Sequence, residues 1–342
     1  MSLLDSVHEQ LRAHPKRWLV TGVAGFIGSN LLEQLLRLDQ RVIGLDDFST
    51  GHKRNLDDVQ AGVTPPQWSR FQLIEGDIRD PALCHKACAG VDFVLHHAAV
   101  VSVPLSIAEP LATCAINVQG TLNLLQSARD NAVGRFVFAS SSAVYGDLPA
   151  ECMTEEKIGR PLSPYAESKR RNELDAEDFG RRCGLATVGL RYFNVFGPRQ
   201  DPNGAYAAVI PKWILALLRN EPVQIFGDGE TTRDFCPINN VVQANLLAAT
   251  LPNPEALTDV YNIACGESTS LNQLFATLRD LLARRDPALA RRQPEFCEFR
   301  PGDVRHSRAD ISRARQTLGY VPEQTVARGL ESALDWYRQN LA

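Results

Sequence analysis

The chain has 342 residues, with 36 Lys plus Arg against 40 Asp plus Glu, a formal charge of -4 and 44% apolar residues. That length holds one large domain or two unequal ones sharing a core, and the charge balance excludes the broad basic field of a nucleic-acid binder. No apolar run approaches membrane-spanning length, and Met1 to Pro15 is polar and amphipathic rather than a secretory leader. Eight cysteines without a zinc spacing fit reduced thiols in a cytoplasmic protein.

In chain order, Leu3 to Leu11 reads as a short extra helix on the surface. Trp18 to Thr21 reads as a first strand, and Gly22-Val23-Ala24-Gly25-Phe26-Ile27-Gly28 as the turn into a helix. Its three glycines permit a tight turn and close approach of backbone to a phosphate, and the helix N-terminus offers unpaired amides to a pyrophosphate. Phe26 and Ile27 belong to the same cradle. Arg41 to Leu45 forms a second strand ending in Asp46, at the distance expected for a carboxylate that binds the adenosine ribose. An acid there repels a 2′-phosphate, so the reading is NAD rather than NADP. Lys53 and Arg54, just beyond, read as solvated or pyrophosphate-side residues.

Phe71 to Ile74 is the next strand, and Asp77 and Ile78 after it suit an adenine edge and face. Cys84 and Cys88, one helical turn apart, read as small buried hydrophobes; no metal site is expected. Val91 to His96 leads into His97-Ala98-Ala99, where Ala98 and Ala99 are small enough to admit a cofactor and His97 borders it. His96 reads as a packing histidine with its hydrogen bonds satisfied.

Arg135 to Ala139 is a strand that delivers Ser140, Ser141 and Ser142. Tyr165 and Lys169 follow at helical i, i+4 spacing, on one face. A free phenol titrates near 10, and lowering it by about three units takes roughly 4 kcal/mol. Lys169 and a cationic nicotinamide are the expected source, making Tyr165 a proton acceptor with Ser141 sharing the same substrate hydroxyl. Short apolar strands alternating with helical runs predict a parallel sheet covered by helices on both faces, with ligands at the carboxyl ends of the strands.

After a strand over Leu185 to Arg191, Asn194 and the Gly197-Pro198-Arg199-Gln200 turn open a substrate wall. A helix over residues 205 to 219 and a strand and turn over Val223 to Gly229 follow. Arg233 and Arg300, in Gly-rich and Pro-rich loops, suit bidentate clamping of a diphosphate, and Phe226 is either core or a wall for a base. The Ile238 to Leu251 helix and the Asp259 to Ala264 strand return to the first domain. Amphipathic helices over Leu271 to Leu282 and Val326 to Tyr337 supply packing faces. Expected organisation is therefore residues 1–190 plus 238–265 as the NAD-binding domain, and 191–237 plus 266–342 as a smaller, interleaved substrate domain.

Five segments carry a resemblance over nearly the whole chain: the Gly22 to Gly28 turn, the serine run before Val144-Tyr145-Gly146-Asp147, Pro164 to Lys169, Leu190 to Pro198, and Arg300-Pro301-Gly302-Asp303. As a set they resemble the extended short-chain dehydrogenase/reductase family, most nearly its UDP-sugar 4-epimerases and the branch that prefers N-acetylated hexoses. The resemblance implies a Rossmann-type α/β fold, tightly held NAD, a UDP-sugar substrate and a homodimer joined by a four-helix bundle. The implied reaction interconverts UDP-N-acetylglucosamine and UDP-N-acetylgalactosamine through a 4-keto sugar and transient NADH, in nucleotide-sugar metabolism that feeds polysaccharide biosynthesis.

By the same resemblance Ser141 and Tyr165 act on the sugar 4-hydroxyl, and Lys169 holds the nicotinamide ribose. Asn194, Arg233 and Arg300 hold the UDP phosphates, while Ala208, Val209, Ile225 and Phe226 line the uridine pocket; Ser102 joins the substrate wall. Dehydratases and decarboxylases of the family carry an acid where this chain has Ser142-Ala143, so neither reaction fits. Ser307 stands where enzymes restricted to plain hexoses carry a tyrosine, leaving room for an acetamido group that Ser142 and Gln200 would hydrogen-bond. Val101, where several acetamido-preferring relatives have glycine, argues the other way. The alternatives are a UDP-glucose/UDP-galactose 4-epimerase with weak N-acetyl preference, or a non-catalytic NAD-binding protein on the same fold.

Overall fold

In the computed structural model, residues 2–203, 208–250, 258–299 and 304–341 are described. Seven strands form one parallel sheet in the spatial order Asp259–Ile263, Thr187–Tyr192, Arg135–Ser141, Phe93–His96, Arg17–Thr21, Arg41–Asp46, Phe71–Glu75. The central strands are buried on both faces, which is why they read as continuous apolar runs. Helices supply the cover: Phe26–Arg37, Ile238–Thr250 and Pro164–Cys183 each bury several residues. This is a Rossmann-type fold. Its register sets Thr21 beside Leu45 and His96, and Ser141 beside Tyr192, so the carboxyl ends of the strands form one continuous edge.

The expected surface helix at the start belongs to the core instead. Leu3–Ala13 buries Leu4, Val7 and Leu11 in the main apolar cluster, each contributing about 1.5–3 kcal/mol. A capping box closes its first turn: the Asp5 amide donates to the Ser2 hydroxyl at 3.1 Å, and the Ser2 amide to the Asp5 carboxylate at 2.8 Å.

The smaller α/β unit is built from short pieces. One sheet runs Thr269–Ser270, Thr232–Arg233, His306–Ala309, Cys152–Met153, and Gln224–Phe226 pairs with Glu295–Cys297. The Cys152–Met153 strand, numbered within the first half of the chain, thus pairs with this unit. A separate apolar cluster includes Phe196, Trp213, Ile225, Phe275, Leu330 and Tyr337. The helix expected over 205–219 is Val209–Leu218 among the described residues, with Ala208 at its N-cap; residues 205–207 lie outside them. No described helix is long and apolar enough to cross a membrane.

Candidate active site

The first glycine turn is shaped for close approach. Gly22 has φ +67°, and a Cβ there would stand 2.8 Å from the Ala98 nitrogen; one on Gly28 would stand 2.1 Å from the Gly22 carbonyl oxygen. Gly25 caps the Phe26–Arg37 helix with no side-chain hydrogen bond, so the N-terminal amides keep their capacity for an anion. Buried Asp46 accepts from the amides of Ala24 at 2.8 Å and Phe48 at 2.9 Å, bonds that oppose the upward push of burial on its carboxyl. A carboxylate has about four acceptor sites, so capacity remains for two ribose hydroxyls.

Gly22, Gly25, Phe26, Ile27, Gly28, Asp46, Asp77, Ile78, Ala98, Ala99, Tyr165 and Lys169 all line one cavity of about 490 Å³. A glycine cradle at a helix N-terminus, a carboxylate with free acceptor capacity and a cavity of this size fit a dinucleotide. Asp77 is oriented by Arg79, which lowers its carboxyl, and Ile78 is packed against Gly120.

At the other end of the cavity, three successive strand residues grip the Pro164–Cys183 helix. The Lys169 ammonium donates to the Ala139 carbonyl at 3.0 Å, the Ser140 hydroxyl donates to Glu173 at 2.6 Å, and Ser141 lies beside the Tyr165 phenol. Ser163 caps the helix by accepting from the Ala166 amide at 3.2 Å. Burial raises the Tyr165 pKa, and the neighbouring Ser141 hydroxyl partly opposes it. Lys169 is itself pushed down to about 8 by burial. In this structure desolvation of the phenol dominates, and the Lys169 ammonium is turned to the Ala139 carbonyl.

His96 bonds Thr21 at 2.7 Å and Thr121 at 2.9 Å, as a packing histidine should. His97 lines the cavity, its pKa pushed down to about 3 by burial, with its Nε2 2.9 Å from the Tyr192 hydroxyl. Asn245 donates to that same hydroxyl at 2.9 Å. That donation leaves the hydroxyl proton available to His97 Nε2. Cys84 and Cys88 are fully buried, their thiols raised to about 12.

The substrate side is less regular. Asn194 and Gln200 line the cavity, with one amide hydrogen each spent on the Asp234 carbonyl at 3.1 Å and the Val195 carbonyl at 3.0 Å. Val101 also lines it and is 67% exposed. Ser102, Ser142, Ala208, Val209, Ile225, Phe226, Arg233 and Ser307 are not among its walls. Ser102 spends its hydroxyl capping the Val103–Ala108 helix, and Ser142 opens the turn Ser142–Tyr145. Ile225 departs most from the expectation: its side chain is fully buried in the smaller unit's core. Arg233 donates to the Thr232 carbonyl at 2.8 Å and lies in register with Ser307. Phe226 and Val209 are half-buried and Ala208 is exposed; Arg300 lies outside the described residues.

Sequence reading missed a buried charge network under the Tyr165 end of the cavity. Arg191 grips Glu173 with two bonds of 2.7 and 2.9 Å, their side chains 1% and 2% exposed, and Arg191 also donates to the Tyr145 hydroxyl at 3.0 Å. The pairing holds the Glu173 carboxyl below its usual range despite burial. One signal was available: an arginine inside an otherwise apolar strand requires a buried partner.

Comparison with known proteins agrees with this geometry. Residues 18–264 match the family model described as the NAD dependent epimerase/dehydratase family. A UDP-glucose 4-epimerase of Mycolicibacterium smegmatis is 35% identical over 327 residues, covering 94% of this chain and 98% of that relative. The solved UDP-N-acetylglucosamine 4-epimerase of Methanobrevibacter ruminantium, in complex with UDP-N-acetylmuramic acid, superposes with TM-score 0.86 at 37% identity, covering 95% of this chain and 99% of that one. The UDP-glucose 4-epimerase of Thermus thermophilus, in complex with NAD, gives TM-score 0.80 at 32% identity, covering 95% and 99%. With the glycine cradle, Asp46, Ser141, Tyr165 and Lys169 in one cavity and the family model matched over residues 18–264, this chain belongs to the NAD dependent epimerase/dehydratase family.

Proposed function

We propose that the chain is an NAD-dependent UDP-sugar 4-epimerase, with UDP-glucose and UDP-galactose as its principal pair. The observation that carries the chemistry is that Ser141, Tyr165 and Lys169 stand together at one end of the cavity whose other end holds Asp46. When bound, NAD supplies a reversible hydride acceptor. Ser141 orients the sugar 4-hydroxyl and Tyr165 takes its proton, then returns it once the 4-keto sugar has presented its other face. Lys169, cationic below about pH 8, offsets negative charge developing on the phenol. Ser142 and Ala143 supply no acid or base for dehydration at the next carbons, which separates this site from the family's dehydratases.

Relatives such as the Mycolicibacterium smegmatis enzyme support the plain hexose pair, and so does the geometry: Val101 lines the cavity, whereas Ser307 and Ser142 are outside its walls. The N-acetyl preference expected from Ser307 becomes the second reading, favoured by the likeness to the Methanobrevibacter ruminantium enzyme. Arg233 and Arg300 are proposed as diphosphate clamps on the resemblance alone. Incubation with each of four UDP-sugars and separation of the products tests all of this. Higher kcat/KM for UDP-glucose and UDP-galactose is expected. Preference for the N-acetylated pair would reverse the choice of sugar, and no product from any of them would favour the non-catalytic reading. A cytoplasmic homodimer is proposed with it: Ile107 and Leu111 are 62% and 85% exposed on adjoining short helices, and the mass in solution checks it.

A further inference from the structure

The segment from Tyr192 to Asp201 runs the length of the cavity. Tyr192 touches His97 at the catalytic end, Asn194 and Gln200 line the middle, and Asp201 meets His52 beside the Asp46 end. Gly51, next to His52, lies so near Asp46 that a Cβ on it would come within 2.8 Å of the carboxylate. The segment is also fastened from below. Arg199 takes φ +68°, a left-handed conformation uncommon for a non-glycine residue, and its side chain is 4% exposed.

From that position its guanidinium donates to Asp58 at 2.7 Å, to Asn30 at 2.8 Å and to Glu33. Asn30 and Glu33 are on the helix that starts at the glycine turn, and Asn30 returns a bond to the Pro198 carbonyl at 3.0 Å. The smaller unit adds a third hold: the Tyr337 hydroxyl donates to the Gly197 carbonyl at 2.8 Å, and the Trp336 indole to Asp58 at 3.1 Å. At the rim, Asp201 accepts from His52 at 2.9 Å and from Arg54 at 3.3 Å.

We infer that Arg199 and Asp201 are positioning residues that tie the 192–201 segment across the cofactor cavity and slow the release of NAD, with Arg199 the buried rivet and Asp201 the outer clasp. The inference rests on NAD being the bound group and not on which sugar is used. It accords with the proposed chemistry: epimerisation leaves the cofactor in its starting oxidation state, so a cofactor that stays bound never limits turnover. A truncated or neutral residue at either point frees one end of the tie without touching the sites that contact the reacting atoms.

The test measures release of labelled NAD from purified, loaded protein into excess unlabelled NAD, at several temperatures below unfolding. Asp201→Asn should release NAD about fivefold faster, the fold-change of an exposed ion-pair network of about 1 kcal/mol. Arg199→Met should release faster still, and Arg199→Lys should recover part of the loss. Asp57→Asn, which breaks the exposed pair with Lys53 outside the cavity, should release at the wild-type rate. Should Arg199→Met fail to fold, Asp201→Asn and Arg199→Lys still decide. Wild-type release from both would overturn the tie; equal acceleration in Asp57→Asn would show general loosening and overturn it too. Faster release in a protein inactive on all four UDP-sugars would defeat the epimerase reading and leave the tie standing.

Discussion

The two halves of the active site are built on different principles. On the cofactor side, strands of four to seven residues run parallel in fixed register, and their carboxyl ends place Asp46, His97 and Ser141 along one edge. On the substrate side, strands of two to four residues carry Arg233, Phe226 and Ser307, and where each side chain goes is decided by contacts distant in sequence. A long strand constrains its end through every ladder bond behind it. A two-residue strand constrains almost nothing. On the proposed reading, chemistry that needs fixed distances sits on the first half and sugar recognition on the second.

The largest effect that would test this division is at Tyr165. Tyr165→Phe keeps the ring and the packing but removes the proton acceptor, so kcat should fall about 10²–10⁴-fold. Undiminished turnover would mean that the rigid half does not carry the chemistry. Glu173→Gln comes next. It leaves Arg191 buried with half a partner, and urea unfolding should show a loss of about 3–5 kcal/mol. A loss below 1 kcal/mol, as at an exposed pair, would remove the network as a source of that rigidity.

Lys169 gives a pH-dependent comparison. Burial lowers its pKa from 10.5 to about 8, so between those values the unfolded chain binds more protons than the native one. Its penalty is full below pH 8 and is relieved as pH rises toward 10.5. Lys169→Met should thus gain up to about 3 kcal/mol of stability over wild type at pH 7, less about 1 kcal/mol for the lost bond to Ala139. The gain should shrink between pH 8 and 10.5; a difference constant with pH would show that Lys169 is not desolvated. The smallest effect belongs to the looser half. Ser307→Tyr should cost UDP-glucose less than about 1 kcal/mol in kcat/KM, because Ser307 is outside the cavity walls, while an acetamido sugar loses about 1–3 kcal/mol if that volume is used. Equal losses would identify Ser307 as a wall common to both substrates.

What could be read from the residues follows the same division. Gly22, Gly25, Gly28, Asp46, Tyr165 and Lys169 were legible because backbone clearance, strand-end placement and helical spacing are local properties. Ile225 was not, since a short strand gives no hint of which face meets the core. The role of the first helix was hidden for a similar reason. Leu4, Val7 and Leu11 form a narrow apolar stripe that suits a surface helix as well as a core one, and packing against the Ile238–Thr250 helix decides between them. Arg199 stood in plain view within Gly197-Pro198-Arg199-Gln200, but its acceptors at 30, 33 and 58 come together only after the sheet has formed.

Tyr337 has a consequence for how the protein is made. Its fully buried ring belongs to the smaller unit's core, and its hydroxyl reaches the Gly197 carbonyl in the segment that borders the cofactor. A ribosome delivers the glycine turn and most of the parallel sheet long before this residue, and domains condense as they emerge. The nucleotide-binding half therefore takes shape during translation with Arg199 able to reach Asn30, Glu33 and Asp58 but with the Tyr337 hold on Gly197 still missing. The last hold waits for the Val326–Leu341 helix, so the order of synthesis leaves an interval in which the border is tied only at Arg199 and Asp201 and a dinucleotide enters more easily.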